Sequence, residues 1–189
     1  MAKTMKRIAI ISVLLTVAFG VLYQTISNSV IFSLMITSGT IAYHFIIRLL
    51  IGTMVNWKMK NKADVTKKWY YVSVSELKLY DKLKVKKWKN KMPTYDEDTF
   101  DVSKHTWEEI IQATCQSEIV HEVNALFSFF PIVASVWFGS FGVFLITSTL
   151  GAAFDMMFVC MQRFNRSRLL KMVTKRKHTH SKSGGTEHE

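Results

Sequence analysis

The chain has 189 residues, of which 49% are hydrophobic, 13% aromatic and 21% charged, with only 2 prolines and 8 glycines. This composition excludes collagen-like, proline-rich and most disordered classes of protein. The formal net charge is +11, and the charged residues are concentrated in 56–122, in 162–189 and in a short N-terminal cluster. Apolar and basic blocks that are separated in this way predict an integral membrane protein.

Two apolar segments open the chain. The first, 8–26, follows a basic cluster and approaches the roughly 20 residues that a helix needs to cross a bilayer. It lacks a clean small-residue cleavage site, so we expect an uncleaved first helix rather than a signal peptide. A turn at 27–29 leads into the second predicted span, 30–55, which carries the ionisable residues His44 and Arg48.

The later apolar stretch, 125–161, is too long for one span and suits two short spans, at about 124–138 and 143–161. Glycines within 139–142 permit a chain reversal, and Pro131 is expected to kink the third span. Two arrangements fit this stretch: two tilted spans, or a re-entrant hairpin. The sequence therefore predicts an all-α integral membrane protein with four transmembrane helices.

The distribution of lysine and arginine predicts the topology. Four spans place every basic segment on one side of the membrane, and the positive-inside rule makes that side cytoplasmic, with both termini. The chain then divides into two N-terminal spans (1–55), a basic cytoplasmic loop with interfacial helices (56–122), two C-terminal spans (123–161) and a basic cytoplasmic tail (162–189). In the tail, basic and apolar residues interleave, which predicts an amphipathic helix on anionic lipid headgroups. No nucleic-acid-binding motif accompanies this charge, so we expect no nucleic-acid partner.

The central basic segment contains two features with local structure. Residues 69–74 resemble a short β-like or interfacial stretch. Residues 106–123 have a helical pattern, and Thr106 with Glu109 three residues later is typical of a capping box at a helix N-terminus. We expect this helix to run directly into the third span.

Ionisable residues near the bilayer interior are the first candidates for a functional site, because charge is costly there. His44 and Arg48 are four residues apart and Glu118 and His121 are three apart, so each pair shares one helix face. Asp155 lies in the fourth span. The helical rise of 1.5 Å per residue places all of them in the cytoplasmic half of the membrane. We therefore predict four candidate catalytic residues: His44, Glu118, His121 and Asp155.

Each of these residues also has a structural interpretation. In that interpretation His44 forms a hydrogen bond across the bundle and has no catalytic role. Arg48 extends to the headgroups, or Asp155 forms a purely structural ion pair with Arg48. Glu118 and His121 could form an ordinary pair on a helix surface.

Basic, polar and aromatic residues on the cytoplasmic side are candidates for substrate binding, since lysine and arginine bind phosphate. The functional interpretation of the segment around Trp88 is a strip that docks phosphate or pantetheine phosphate. The structural alternative is a solvated loop anchored at the interface by its tryptophan. The candidate substrate-binding residues are Arg48, Lys87, Trp88, Lys89, Glu122, Asn124, Gln162, Arg163, Asn165, Arg166 and Arg168.

Three motifs over about residues 67–172 resemble the glycosyl-4,4′-diaponeurosporenoate acyltransferase family. They are Lys86-Lys87-Trp88-Lys89 followed by Pro93, Glu118-x-x-His121 ahead of Pro131, and Gln162-Arg163-Phe164-Asn165-Arg166-Ser167-Arg168-Leu169. The resemblance implies a bacterial cell-membrane enzyme that esterifies a sugar hydroxyl with a fatty acyl group, in the last step of a glycosylated carotenoid pathway.

The resemblance also suggests a mechanism, without a resident cofactor. The acyl donor would be acyl-CoA or acyl-carrier protein from the cytoplasm, and the acceptor a lipid between the spans. His121 would deprotonate the acceptor hydroxyl, and Glu118 would orient its imidazole ring. Arg48 or Asn165 would stabilise the oxyanion. The donor phosphates would be held by Lys87, Lys89, Arg163, Arg166 and Arg168.

Two other classes of function remain open from the sequence. One is a metal-assisted membrane enzyme that acts on a phospholipid headgroup with a divalent metal, for which the chain offers mixed nitrogen and oxygen ligands. These ligands would be His44, Glu118, His121, Glu122 and Asp155. The other class is a non-catalytic lipid-binding membrane protein, whose main feature would be its basic tail.

Overall fold

A computed structural model describes residues 2–93 and 98–183, so the final part of the predicted tail, 184–189, lies outside the described residues. Within the described residues the chain forms helices and no strands. The α-helices are α1 (Ala2–Ile26), α2 (Ser29–Met59), α3 (Val74–Lys82), α4 (Val85–Trp88), α5 (Trp107–Phe127), α6 (Pro131–Phe138) and α7 (Phe141–Ser183). Short 3-10 helices occur at Lys68–Tyr70, Lys89–Lys91 and Asp98–Phe100.

Four helices are long and apolar enough to cross a membrane: Ala2–Ile26, Ser29–Met59, Trp107–Phe138 and Phe141–Arg176. This finding confirms the predicted all-α architecture with four membrane helices. Large apolar side chains are exposed along their outer surfaces, for example Leu14, Val136 and Leu150. Such a surface suits hydrocarbon rather than water.

The first two helices form a tightly packed hairpin. Asn28 caps α2 by accepting a hydrogen bond from the backbone N–H of Val30 at 2.7 Å. Along the interface, the Thr16 hydroxyl donates to Ser38 at 3.1 Å, and a Cβ atom at Gly39 would lie 3.4 Å from Thr16. Small residues let the two backbones approach closely, as is common between helices in membranes.

The third membrane helix is broken where a kink was predicted. It begins at α5 with the predicted capping box, in which Thr106 and Glu109 each bond the other's backbone N–H. Pro131 then stands at the first turn of α6, after the non-helical residues 128–130. Proline lacks a backbone N–H and fixes φ, so it starts a new helix here more readily than it continues the old one.

The fourth span and the basic tail form one helix. After a turn in which Gly139 has φ +67°, α7 runs without interruption from Phe141 to Ser183. The sequence predicted a span that ends near residue 161 and a separate surface helix. Arg163 and Arg166, at the start of the predicted tail, are turned inward onto carboxylates rather than outward.

The central basic segment is docked on the membrane helices. Residues 69–74 form the end of a 3-10 helix, an extended connection and the first residue of α3, not a strand. Helix α3 follows with a capping box from Ser73 to Glu76. Tyr80 and Val85 then pack against Phe164 of α7 in a small apolar cluster. This packing fixes the segment beside α7.

Candidate active site

Asp155 is the centre of a buried polar cluster that joins three helices. Its side chain is 1% exposed, and its two carboxylate oxygens have different partners. Arg48 of α2 donates to Oδ2 at 2.5 Å, and Nδ1 of His121 on α5 lies 2.9 Å from Oδ1. The structure thus brings together three of the residues that depth and spacing had singled out.

Arg48 faces the bundle interior rather than the headgroups. Besides Asp155, its guanidinium donates to the backbone carbonyls of His44 at 2.9 Å and Gly151 at 3.2 Å. The Ser128 hydroxyl accepts a further bond at 3.4 Å. Five N–H donors in a rigid fork suit this set of acceptors. The contacts therefore favour the predicted Arg48–Asp155 ion pair over an arginine that extends to the membrane surface.

His121 is held in one orientation with one nitrogen available. Its ring stacks on Phe158, with centroids 4.3 Å apart and planes 5° apart. A carboxylate only accepts hydrogen bonds, so in the neutral ring the proton is on Nδ1 and the lone pair is on Nε2. Among the described residues, Nε2 has no hydrogen-bond partner, and the side chain is 20% exposed. His121 can therefore accept a proton from a bound group.

Further buried polar atoms near this cluster lack hydrogen-bond partners among the described residues. They are both ring nitrogens of His44, Oδ1 of Asn124 and the hydroxyl of Ser148. Helical spacing places His44 on the face of Arg48, Asn124 on that of His121, and Ser148 on that of Asp155. Unsatisfied buried polar groups are costly, so these atoms are candidates for contact with polar groups of a substrate.

Glu118 belongs to a second cluster, and its contacts argue against the predicted role of Glu118 in orienting His121. The Glu118 side chain is fully buried and forms ion pairs with both Arg163 and Arg166. Three helical residues correspond to about 300° of rotation, so Glu118 and His121 point about 60° apart around α5. This difference directs Glu118 toward the arginines and His121 toward Asp155.

The second cluster, which we call the arginine clamp (Glu76, Glu118, Arg163 and Arg166), fastens the central segment to the bundle. Arg163 bonds Glu76 at 2.9 Å and also donates to the carbonyls of Trp69 and Tyr71. Arg166 donates to the carbonyl of Tyr70. In addition, the Trp69 indole donates to Glu122 at 2.9 Å. These contacts favour a structural role for Arg163 and Arg166 over the predicted binding of phosphate.

The remaining predicted substrate-binding residues divide between a groove and the surface. Lys89, Gln162, Asn165 and Arg168 line a groove of about 390 Å³ between the central segment and α7, where Lys89 donates to Asn165 at 2.7 Å. Lys87 is exposed outside this groove.

Two of the predicted residues have positions that argue against the roles they were given. The Trp88 indole donates to the Leu83 carbonyl at 3.0 Å and packs on the Tyr80 cluster. Asn165 lies ten residues beyond Asp155 on α7, about 15 Å along the helix. This distance argues against Asn165 as the group that stabilises an oxyanion at His121.

Sequence reasoning missed several members of both clusters. Ser128 lies seven residues after His121 and Gly151 four residues before Asp155, so helical spacing could have placed them beside the site. Glu76 gave no such signal, because its partner Arg163 is 87 residues away.

The ligand set predicted for a metal is split between the clusters. His44, His121 and Asp155 lie near Arg48, whereas Glu118 is enclosed by arginines and Glu122 bonds Trp69. No group of three or more His, Cys, Asp or Glu side chains in the described part of the chain is arranged to hold a metal ion. The five side chains proposed as ligands of one metal therefore do not meet at one place in the described structure.

A family model described as glycosyl-4,4′-diaponeurosporenoate acyltransferase matches residues 66–175, more than half of the chain. The chain belongs to this family. The match confirms the resemblance that the sequence motifs indicated. Comparisons with the curated proteins and with the solved structures gave no match. The acyltransferase family model includes His121, Asp155 and the arginine clamp, whereas Arg48 and His44 lie before its first matched residue.

Substitutions of Gly151 test the packing around Arg48. A Cβ atom there would lie 3.4 Å from side-chain atoms of Arg48, His44 and Ser128, at the limit of ordinary contact. We expect Gly151→Ala to retain the fold, and Gly151→Val to displace the guanidinium from Asp155 and lower thermal stability. Gly52→Val is the control, because a Cβ at Gly52 meets nothing within 4 Å. Equal melting temperatures for the two valine variants would contradict this packing.

Glu76 is expected to make the docking of the central segment sensitive to acid. Burial alone would raise the pKa of Glu76, but the Ser73 backbone N–H and the Arg163 guanidinium lower it below its usual value of 4.5. A carboxyl with a lowered pKa stabilises the fold above its unfolded pKa and loses that contribution as pH falls through the folded pKa. We therefore expect Glu76→Gln to lower the melting temperature at neutral pH, with the difference from wild type shrinking as pH falls below 4.5. A difference that is constant with pH would contradict the ion pair.

Proposed function

We propose that this chain is an integral membrane acyltransferase. It moves a fatty acyl group from acyl-CoA or acyl-carrier protein to a hydroxyl of a lipid or glycosylated isoprenoid. Membership of the acyltransferase family, four helices able to cross a membrane, and a histidine placed for proton transfer support this proposal.

The observation that carries the proposal is the contact of His121 with Asp155. Asp155 accepts from Nδ1, which leaves Nε2 to take the proton of the acceptor hydroxyl. The hydroxyl oxygen then attacks the carbonyl carbon of the acyl thioester, and the carbon–sulfur bond breaks. The departing thiolate takes the proton from the imidazolium, so the products are an ester and a free thiol.

Arg48 acts in this scheme through Asp155. A carboxylate that is 1% exposed needs a compensating charge, and the guanidinium at 2.5 Å supplies it. With Asp155 fixed by Arg48, the His121 ring keeps the tautomer that leaves Nε2 unprotonated. Arg48 is thus a positioning residue, and its many fixed contacts make it less suited to follow a developing oxyanion.

The positions of the polar groups suit a donor that arrives from the cytoplasm. The basic segments flank the spans on one side by the positive-inside rule, with both termini on that side. From Asp155 to Gln162 the distance along α7 is about 10 Å, so the proposed site lies close to that surface. The apolar chains of donor and acceptor would extend among the membrane helices.

Lipid mass spectrometry tests the proposed reaction. We expect cells that express the chain to contain a lipid heavier by one acyl group than a species in cells without it. The purified full-length chain in nanodiscs, supplied with acyl-CoA and that lighter lipid, should release one thiol per ester formed. A change of headgroup instead of an added acyl group would support the metal-assisted alternative, and unchanged lipids in both experiments would contradict the proposal.

A further inference from the structure

The groove between the central segment and α7 contains two cations without a carboxylate partner. Nζ of Lys89 and the guanidinium carbon of Arg168 each lie 5.8 Å from the centroid of the Phe164 ring, so both charges lie beside the same aromatic side chain. Neither forms an ion pair with a carboxylate in residues 2–93 or 98–176. Burial and the neighbouring Arg168 lower the pKa of Lys89. An anion bound between the two cations would relieve their repulsion.

Gln162 supplies an unpaired acceptor further inside the same groove. Its side chain is 4% exposed, and Oε1 is buried without a hydrogen-bond partner. Gln162 also lines the groove, so a bound molecule could reach it. A buried amide oxygen without a partner is costly, and the group that satisfies it must be an N–H or O–H donor.

The rest of the groove wall is largely apolar. Side chains that suit methyl and methylene groups line it between the cations and the helices: Met92, Phe100, Val102, Ile110, Leu169 and Met172. A ligand for this groove therefore combines an anionic end, an internal hydrogen-bond donor and apolar surface.

The two cations and Gln162 lie in sequence along the groove, with the cations farthest from His121 and Gln162 closer to it. On α7, Arg168 is thirteen residues and Gln162 seven residues from Asp155, about 20 Å and about 10 Å along the helix. On α5, Thr114 of the groove is also seven residues, about 10 Å, from His121. A ligand with its anion at Lys89 and Arg168 would pass Gln162 halfway to the proposed reacting centre.

We propose that this groove binds the phosphopantetheine arm of the acyl thioester donor. The inference rests on the proposed function and adds a site for one substrate. Such an arm has a phosphate at one end, a thioester at the other, and two amide N–H groups and two methyl groups between them. The phosphate lies between Lys89 and Arg168, an amide N–H donates to Gln162, and the thioester extends toward His121.

Binding of coenzyme A to the full-length protein in phosphatidylcholine nanodiscs tests the groove. We expect Lys89→Gln and Arg168→Gln each to raise the Kd of coenzyme A about tenfold, the loss of one charge-assisted contact. Lys82→Gln, which removes an exposed lysine outside the groove, should leave the Kd unchanged. Lys89→Arg keeps the charge and should retain binding, which separates lost contact from lost fold.

Pantetheine, which lacks the phosphate, separates the two parts of the groove. We expect Gln162→Met to weaken binding of both coenzyme A and pantetheine, and Lys89→Gln to weaken only that of coenzyme A. Equal Kd values in all variants would overturn the proposal. Displacement of coenzyme A by inorganic phosphate at equal concentration, or by phosphatidylglycerol in the nanodisc, would overturn it in favour of a general phosphate or headgroup site.

The same measurements distinguish this site from the proposed reaction. We expect His121→Ala to lower the rate of transfer by about two to four orders of magnitude and to bind coenzyme A as wild type does. If His121→Ala transfers acyl groups normally while Lys89→Gln weakens coenzyme A binding, the proposed role of His121 is wrong and the proposed binding site in the groove is supported. If transfer depends on His121 but substitutions of Lys89, Gln162 and Arg168 leave the Kd of coenzyme A unchanged, the proposed binding site is wrong and the proposed reaction is supported.

Discussion

Replacing His121 by alanine is expected to lower the rate of acyl transfer by about two to four orders of magnitude, the usual contribution of a general base. The variant removes the only group that the proposed mechanism uses to take the proton of the acceptor hydroxyl. His105→Ala is the control, because His105 is exposed and outside both clusters. Thiol release from acyl-CoA by the full-length chain in nanodiscs measures the effect, and undiminished release from His121→Ala would refute the assignment.

The variant Asp155→Asn extends this prediction, because it affects both reaction and fold. An amide in place of the carboxylate no longer fixes the tautomer of His121, so transfer should fall as well. It also leaves Arg48 buried without an opposite charge, which costs about 3–5 kcal/mol when a buried pair is broken. We therefore expect Asp155→Asn to lower the melting temperature in detergent more than His121→Ala does. The reverse order would contradict the central position of Asp155.

The membrane architecture could be predicted because its physical signals are local. Runs of apolar residues predicted four spans, and Thr106 with Glu109 predicted the start of α5, since a capping box spans only four residues. The common depth of Arg48, His121 and Asp155 followed from the helical rise, and the structure places these three in contact. The ion pair of Arg48 with Asp155 had been one of the structural interpretations left open.

The partners within the clusters could not be predicted, because they depend on how distant segments dock. Spacing of three residues suggested a pair of Glu118 with His121, but the arginines of α7 attract Glu118 more strongly. Arg163 and Arg166 were predicted to bind phosphate, because they lie in a segment rich in basic residues. Only the docking of residues 69–76 shows that carbonyls and carboxylates enclose them.

The arginine clamp leads to a second prediction with a large expected effect on stability. The Arg166 side chain is fully buried and forms an ion pair with Glu118. Its guanidinium carbon lies 5.3 Å from the centroid of the Tyr70 ring. Arg166→Met keeps much of the side-chain volume but leaves the clamp with two carboxylates and one cation. Uncompensated buried charge of this kind costs about 3–5 kcal/mol, so we expect a markedly lower melting temperature in detergent and faster proteolysis within residues 60–90.

The double variant Glu118→Gln with Arg166→Met decides whether charge balance is the cause. Each single change alters the net charge of the clamp by one, whereas the double change restores neutrality with Arg163 facing Glu76 at 2.9 Å. We therefore expect the double variant to be more stable than Arg166→Met alone, which is a coupling that additive effects cannot produce. A double variant as unstable as the sum of its parts would mean that packing on Tyr70, rather than the ion pair with Glu118, holds the central segment. Because Asp155 and His121 lie outside the clamp, their contact should persist in the double variant, and acyl transfer should recover together with the fold.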